Sequence, residues 1–325
     1  MKVFVTRRIP SVGIELLREH FQVELNDSST PLSAGELKEK VKSCDALLSL
    51  VTDPITADVI AAGQNLKIIS NHGVGYDNID VAAATSRGIA VTNTPDVLTD
   101  ATADFTWALL LAITRRVVEG DRVVRNGEFT GWDPLFMLGA DLVGKTLGIL
   151  GAGRIGTAVG ERSVGWRMKL LYYDHKTNPT LEAKAGARKA SLKEILQEAD
   201  IITVHLPLTE QTYHLIGKKE FEMMKPTAYL VNTARGAIID EAALVEALKT
   251  KRIAGAALDV FEHEPQLTPG LAELNNVVLA PHLGSATTDT RNKMAEVAAR
   301  NIILYFQGKQ PISIINPEVL KKRKI

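Results

Sequence analysis

The sequence predicts an α/β protein with two doubly wound parallel sheets, and three observations carry that reading. Short apolar strand candidates alternate with helical segments, the pattern that gives parallel sheets. The alternation comes as two series, one before Pro95 and one from Lys145 onward. A chain of 325 residues also has room for about two domains of roughly 150 residues each.

In the first series, KVFVT (Lys2–Thr6) reads as a strand. Ser11–Phe21 and Ser33–Cys44 have helical spacing, each with its serine as a candidate N-cap. Ala46–Val51, Leu66–Asn71 and Ile89–Asn93 read as buried strands with helices between them. Asp100–Gly127 then reads as one long helix, apolar nearly all round from Phe105 to Ile113, which requires cover on several sides. The second series has strands TLGILG, KLLYYD, IITVHL, AYLVNT, IAGAALDV and NVVLAPH. An amphipathic helix, Thr287–Gly308, closes it, and the terminal KKRK reads as a solvated end.

Bulk properties narrow the function. Lys plus Arg equals Asp plus Glu at 38 each, so net charge offers no reason to expect nucleic acid or an anionic membrane as a partner. Cys44 is the single cysteine, which rules out an intrachain disulfide and fits a reducing compartment. The N-terminal apolar run is too short for a signal peptide, and WALLLAI is far short of a membrane span. A cytoplasmic location is the expectation.

Gly151, Gly153 and Gly156 form G-x-G-x-x-G between a strand and a helix. The first glycine permits the tight turn, the second lets backbone approach a pyrophosphate, and the third lets helix and strand pack closely. The helix N-terminus then turns free N–H groups toward that anion. Glycine turns alone are common; Asp174, about 20 residues further on at the end of the next strand, adds an acceptor for ribose hydroxyls. Its charge would repel a 2′-phosphate, so NAD(H) is expected over NADP(H), although Lys176 nearby offsets some repulsion.

Arg235, Glu264 and His282 follow three successive strand candidates of the second series. Ligand-facing groups in open α/β sheets gather beyond the carboxyl ends of strands. An arginine fork can hold a carboxylate, a histidine can give a proton to a carbonyl oxygen as hydride arrives, and a carboxylate can orient the imidazole. Each residue taken singly also suits a surface charge or a structural role. No metal site is expected.

The segments LGILGAGRIG, HLPLTEQTYHLI, MKPTAYLVNTARGAIIDEAAL, GAALDVFEHEP and NVVLAPHLGSAT, with GVGYDNID (Gly73–Asp80) before them, resemble the signatures of the D-isomer-specific 2-hydroxyacid dehydrogenases. The resemblance spans nearly the whole chain, with the motifs in the family's order. It implies two Rossmann-like domains with the cofactor domain, 97–286, inserted into a substrate domain made of 1–96 and 287–325. That would explain why the glycine turn comes so late. Arg235, Glu264 and His282 match the family's catalytic residues: His282 as proton donor, Glu264 keeping it charged and oriented, Arg235 on the carboxylate. The amides of Val74 and Gly75 would hold the same carboxylate.

Further positions follow from the same resemblance. Arg154 and Ile155 would lie on the pyrophosphate, and Leu206, Pro207 and Thr212 on the adenine and ribose side. Thr233, Ala234 and Asp259 would surround the nicotinamide, with Gly284 and Ser285 near its ring. Within the family, RNGEFTGWDPLFMLGADLVGKTLGILG is similar to the corresponding segment of glyoxylate and hydroxypyruvate reductases. Trp132 there matches a tryptophan that can reach the partner's active site in a homodimer formed through the cofactor domain. The implied reaction is reduction of a small 2-keto acid, glyoxylate or hydroxypyruvate, to the D-2-hydroxy acid. A 2-keto-gluconate reductase and a short-form 3-phosphoglycerate dehydrogenase share these motifs. So does a non-enzymatic NAD-sensing corepressor, though such proteins usually carry longer tails.

Overall fold

A computed structural model describes residues 1–28 and 30–321. Lys322–Lys324 of the terminal basic run therefore lie outside the described residues. The chain divides into two compact units: Met1–Leu98 with Thr287–Ile325, and Thr99–Ala286. In sequence the second unit is an insertion within the first.

Unit 1 contains five strands: β1 (Lys2–Val5), β2 (Gln22–Leu25), β3 (Ala46–Leu50), β4 (Ile68–His72) and β5 (Ala90–Thr92). They pair in parallel in the order β2-β1-β3-β4-β5. Residues on the two faces of this sheet feed separate apolar clusters, as period-two alternation requires. Val3, Val5, Leu48 and Ile68 pack with Ile14 and Leu17 and with Ala295, Ala298 and Ile302 of the Thr288–Phe306 helix. Phe4, Leu47 and Ile69 pack on the opposite side with Leu37, Val59 and Ile60.

Unit 2 adds seven strands: β6 (Thr146–Leu150), β7 (Lys169–Tyr173), β8 (Arg188–Lys189), β9 (Ile201–Val204), β10 (Tyr229–Asn232), β11 (Gly255–Leu258) and β12 (Val277–Leu279). All pairings are parallel, in the order β12-β11-β10-β9-β6-β7-β8. The order reverses between β6 and β9, which makes the carboxyl end of β6 a topological switch point, where such sheets take ligands.

Local sequence explains most element boundaries. Ser33 accepts from the Glu36 amide while the Glu36 carboxylate accepts from the Ser33 amide, a complete capping box. Asn178, Ser191, Asp240 and Thr287 cap their helices in the same manner through one side-chain acceptor each. Ser11 instead opens its helix as the first helical residue, with Pro10 in the cap position and no side-chain cap bond. That helix stops at Arg18, and the following Gln22–Leu25 pairs on the sheet edge as β2.

The single long helix expected over Asp100–Gly127 is two helices, Thr99–Thr114 and Val117–Arg125. The Thr114 carbonyl leaves the helical ladder and accepts from the Ala140 amide at 2.9 Å. A Cβ on Gly139 would stand 2.4 Å from that same oxygen, so glycine is what lets the returning segment approach. Arg116 then turns the chain with φ +54° in the left-handed region. Among the described residues no helix is long and apolar enough to cross a membrane.

Docking of the C-terminal helix on the first helix leaves no space at Gly13, whose Cβ would lie 2.8 Å from the Ala295 carbonyl oxygen. Gly13→Val is expected to lower stability in denaturant unfolding by about 1–3 kcal/mol. Gly35→Ala, whose new methyl would meet only Ser33 Oγ at 3.9 Å, should leave stability equal or higher. Equal unfolding midpoints for Gly13→Val and the parent chain would show that this contact is not tight.

Candidate active site

Unit 2 gathers its chemistry-bearing residues at one edge of the sheet. The glycine turn follows β6, Asp174 follows β7, Leu206 and Pro207 follow β9, and Thr233–Arg235 follow β10. Asp259 follows β11, and His282, Gly284 and Ser285 come after β12. Parallel pairing puts all these carboxyl ends on the same side.

The three glycines have distinct physical roles. Gly151 has φ +98°, and a Cβ there would stand 2.8 Å from the His205 carbonyl carbon. A Cβ on Gly156 would lie 2.0 Å from the Gly151 oxygen, so helix and strand could not pack so closely with any side chain there. Gly153 is different: no described heavy atom lies within 4 Å of its Cβ position. The Arg154–Ser163 helix starts directly after it, with Ile155 in its first turn and no side-chain cap. An open approach to an uncapped helix N-terminus fits a dinucleotide pyrophosphate.

Side chains fix this turn from behind. The Ala152 amide donates to Asp174 Oδ2 at 2.9 Å, and the Ala152 carbonyl accepts from Asn178 Nδ2 at 2.9 Å. The second Asp174 oxygen accepts from the Lys176 amide at 3.2 Å. The sequence points Asp174 only toward a ribose; its hold on the turn is an additional function. Across the sheet, Thr212 Oγ1 donates to the Pro207 carbonyl at 2.6 Å, and Leu206 is buried. Thr233 shares a hydroxyl hydrogen bond of 2.9 Å with Thr106, and the Ala234 amide donates to Asn232 Oδ1.

His282 Nδ1 lies 3.0 Å from Glu264 Oε2, and Glu264 Oε1 accepts from the Phe261 amide at 3.1 Å. Burial pushes the Glu264 carboxyl up, but the His282 hydrogen bond and charge, the Phe261 amide and the Arg235 guanidinium together hold it below its ordinary value. Arg235 Nη1 donates to the Ala234 carbonyl, and its own carbonyl accepts from Asn232 Nδ2. The imidazole backbone is unusual: His282 has φ +56°, in the left-handed region. It is held there by its amide, which reaches the Asp259 carbonyl at 2.9 Å. Asp259 is buried and accepts from the Leu283 and Gly284 amides at 2.6 and 2.8 Å. Burial pushes its carboxyl up despite those two amides.

Sequence reasoning missed the support beneath Glu264. Glu241 is buried, and its two oxygens accept from the Glu262 amide and the Thr268 hydroxyl, each at 2.7 Å. Glu262 in turn pairs with His214 at 2.7 Å. Asp240 caps the Glu241–Lys249 helix, and Glu241 is its first residue. Trp132 is 86% exposed, in the segment that follows the Val117–Arg125 helix. In unit 1, Val74 and Gly75 sit in the loop after β4, partly exposed, and their carbonyls accept from Asn93 and Asn71. Among the described residues no cluster of His, Cys, Asp and Glu could hold a metal ion.

Residues 107–284 match the family model of the D-isomer specific 2-hydroxyacid dehydrogenase NAD binding domain. A glyoxylate reductase of Korarchaeum cryptofilum is 51% identical over 99% of this chain and 98% of its own length. A crystallised protein of Thermus thermophilus superposes with TM-score 0.91 at 43% identity, covering 97% of this chain and 100% of its own. An NADPH-dependent glyoxylate/hydroxypyruvate reductase of Sinorhizobium meliloti, solved with NADP and malonate, superposes with TM-score 0.89 at 31% identity, covering 100% of this chain and 99% of its own.

The Glu264–His282 pair has a pH signature. With a folded-state carboxyl below its ordinary value of 4.5, its contribution to stability is complete above that value and is lost as pH falls through the lower folded one. Glu264→Gln should therefore melt below the parent chain at pH values just above the ordinary carboxyl value. The margin should close under acid conditions. Calorimetry showing the same margin down to acid unfolding would contradict the pairing.

Proposed function

The chain belongs to the D-isomer specific 2-hydroxyacid dehydrogenase family of NAD(P)-dependent oxidoreductases, and from that premise we propose that it reduces glyoxylate to glycolate and hydroxypyruvate to D-glycerate. The observation that carries the reading is the 3.0 Å pair between His282 and Glu264, with the Arg235 charge acting on the same carboxylate. The reduced nicotinamide, when bound, supplies the hydride. With Nδ1 engaged by Glu264, His282 keeps Nε2 to donate a proton to the carbonyl oxygen. Arg235 has the planar fork that a substrate carboxylate requires. The Val74 and Gly75 amides of unit 1 are assigned to that carboxylate on the family resemblance.

The glycine turn supports the cofactor assignment. Gly151, Gly153 and Gly156, with Arg154 and Ile155, would hold the pyrophosphate; Leu206, Pro207 and Thr212 would line the adenosine side. Thr233, Ala234, Asp259, Gly284 and Ser285 would surround the nicotinamide. NAD(H) is the preferred cofactor in this reading. The Asp174 carboxylate, fixed by the Ala152 and Lys176 amides, would repel a 2′-phosphate. A homodimer through unit 2 is supported by the exposed apolar side chains Phe129, Trp132, Leu135 and Leu138. A cytoplasmic setting suits the lone Cys44, whose thiol is pushed up to about 12 by burial and by Asp45.

Initial rates of NADH and NADPH oxidation against glyoxylate, hydroxypyruvate, 2-keto-gluconate and pyruvate test the reading directly. Turnover is expected with the first two and faster with NADH. His282→Gln should lower kcat by about 10²–10⁴-fold while NADH binding stays nearly unchanged. Parent-level rates in that variant would overturn the assignment of the proton donor.

Gly153→Val separates cofactor binding from folding, because its side chain would enter open space. NADH affinity is expected to fall by roughly tenfold or more, about 1.4 kcal/mol or greater, with little change in melting temperature. Unaltered NADH affinity by fluorescence titration would mean that the cofactor does not pass over this glycine.

A further inference from the structure

We propose that two buried asparagines, Asn71 and Asn93, aim the backbone amides of the loop after β4 at the substrate carboxylate. They are positioning residues and would act without touching the substrate. The inference rests on the keto-acid reading above. It goes beyond that reading by assigning the loop's anion affinity to side chains behind it.

Three successive peptide carbonyls of this loop are tied into unit 1. Gly73 O accepts from the Thr94 amide at 2.9 Å, Val74 O from Asn93 Nδ2 at 2.7 Å and Gly75 O from Asn71 Nδ2 at 2.8 Å. In a trans peptide the N–H points opposite to the C=O. The cis bond found among the described residues is Glu264–Pro265, so these three peptides are trans. Drawing the carbonyls inward therefore turns the amides of Val74, Gly75 and Tyr76 outward. Among the described residues none accepts a hydrogen bond from those three amides. Successive outward N–H groups of this kind form an anion-binding concavity.

The asparagines are themselves held in one orientation. Asn71 is fully buried; its Oδ1 accepts from Ser49 Oγ at 2.9 Å, and its Nδ2 also donates to Asn78 Oδ1 at 3.2 Å. Asn93 Oδ1 accepts from Ser313 Oγ at 2.5 Å, and the Asn93 carbonyl accepts from Asn301 Nδ2 at 3.1 Å. A hydroxyl donor on each Oδ1 leaves each Nδ2 for the loop carbonyl. An aspartate in either place could not donate when ionised and would repel an incoming acid. The chemistry thus selects an amide.

The test is steady-state kinetics of Asn71→Leu and Asn93→Leu, which keep the shape and remove the donor, with Asn93→Ser as a milder replacement. The measurements are KM for glyoxylate, Ki for oxalate and KM for NADH. Loss of one carbonyl anchor is expected to raise glyoxylate KM and oxalate Ki together by roughly tenfold, with NADH KM unchanged. Damage to the fold alone would lower kcat through the active fraction and leave KM and Ki at parent values. That result, seen in Asn93→Ser and in whichever leucine variant folds, would overturn the positioning role. A parent chain that reduces no 2-keto acid would instead remove the functional reading itself, so the two failures can be told apart.

Discussion

Both oxygens of Asp259, at the end of β11, accept backbone amides from the segment beyond β12, and its carbonyl accepts the His282 amide. One buried residue thus sets the path of the chain through a left-handed histidine that would otherwise be disfavoured. Hydrogen bonds to a charged group contribute about 1.5–3 kcal/mol each, enough to offset strain of that order. If this brace were lost, His282 would relax out of its conformation and its 3.0 Å approach to Glu264 would go with it. The desolvation that raises the Asp259 carboxyl is the counterpart of that rigidity.

The same device recurs in other loops of both units. Asp174 and Asn178 grip the two sides of Ala152 in the glycine turn, Glu241 grips the Glu262 amide below Glu264, and Asn71 and Asn93 grip the loop after β4. In each case a side chain uses its polar atoms on backbone groups, as most side-chain hydrogen bonds do.

Legibility in the sequence followed the range of the interaction. Ser33 and Glu36 declare their capping box within four residues, and the buried strands β3, β4 and β9 declare themselves by short stretches rich in leucine, isoleucine or valine. The edge strands β2 and β8 do not, because QVEL and RK carry too little apolar character to stand out from loop. The helix break after Thr114 depends on Ala140 and Gly139, which lie far along the chain and carry no sign of their partner. Arg235, Glu264 and His282 were readable as residue types after strands, and the family motifs sharpened them. Asn71, Asn93 and Glu241 were not, since an asparagine or acid at a strand end or helix start looks like ordinary turn chemistry.

The interrupted construction of unit 1 bears on how the chain is made. Val3, Ile14, Leu17 and Leu48 share their cluster with Ala295, Ala298 and Ile302, and all of unit 2 lies between them in sequence. On a ribosome adding about 5–20 residues per second, the first sheet waits on the order of tens of seconds for its last helix. During that interval its apolar face has the cover of Ile14 and Leu17 but lacks that of Ala295, Ala298 and Ile302, while unit 2 is already able to fold. A nascent chain of this design is most exposed to aggregation through its earliest residues, and release of the last helix is the step that ends the exposure.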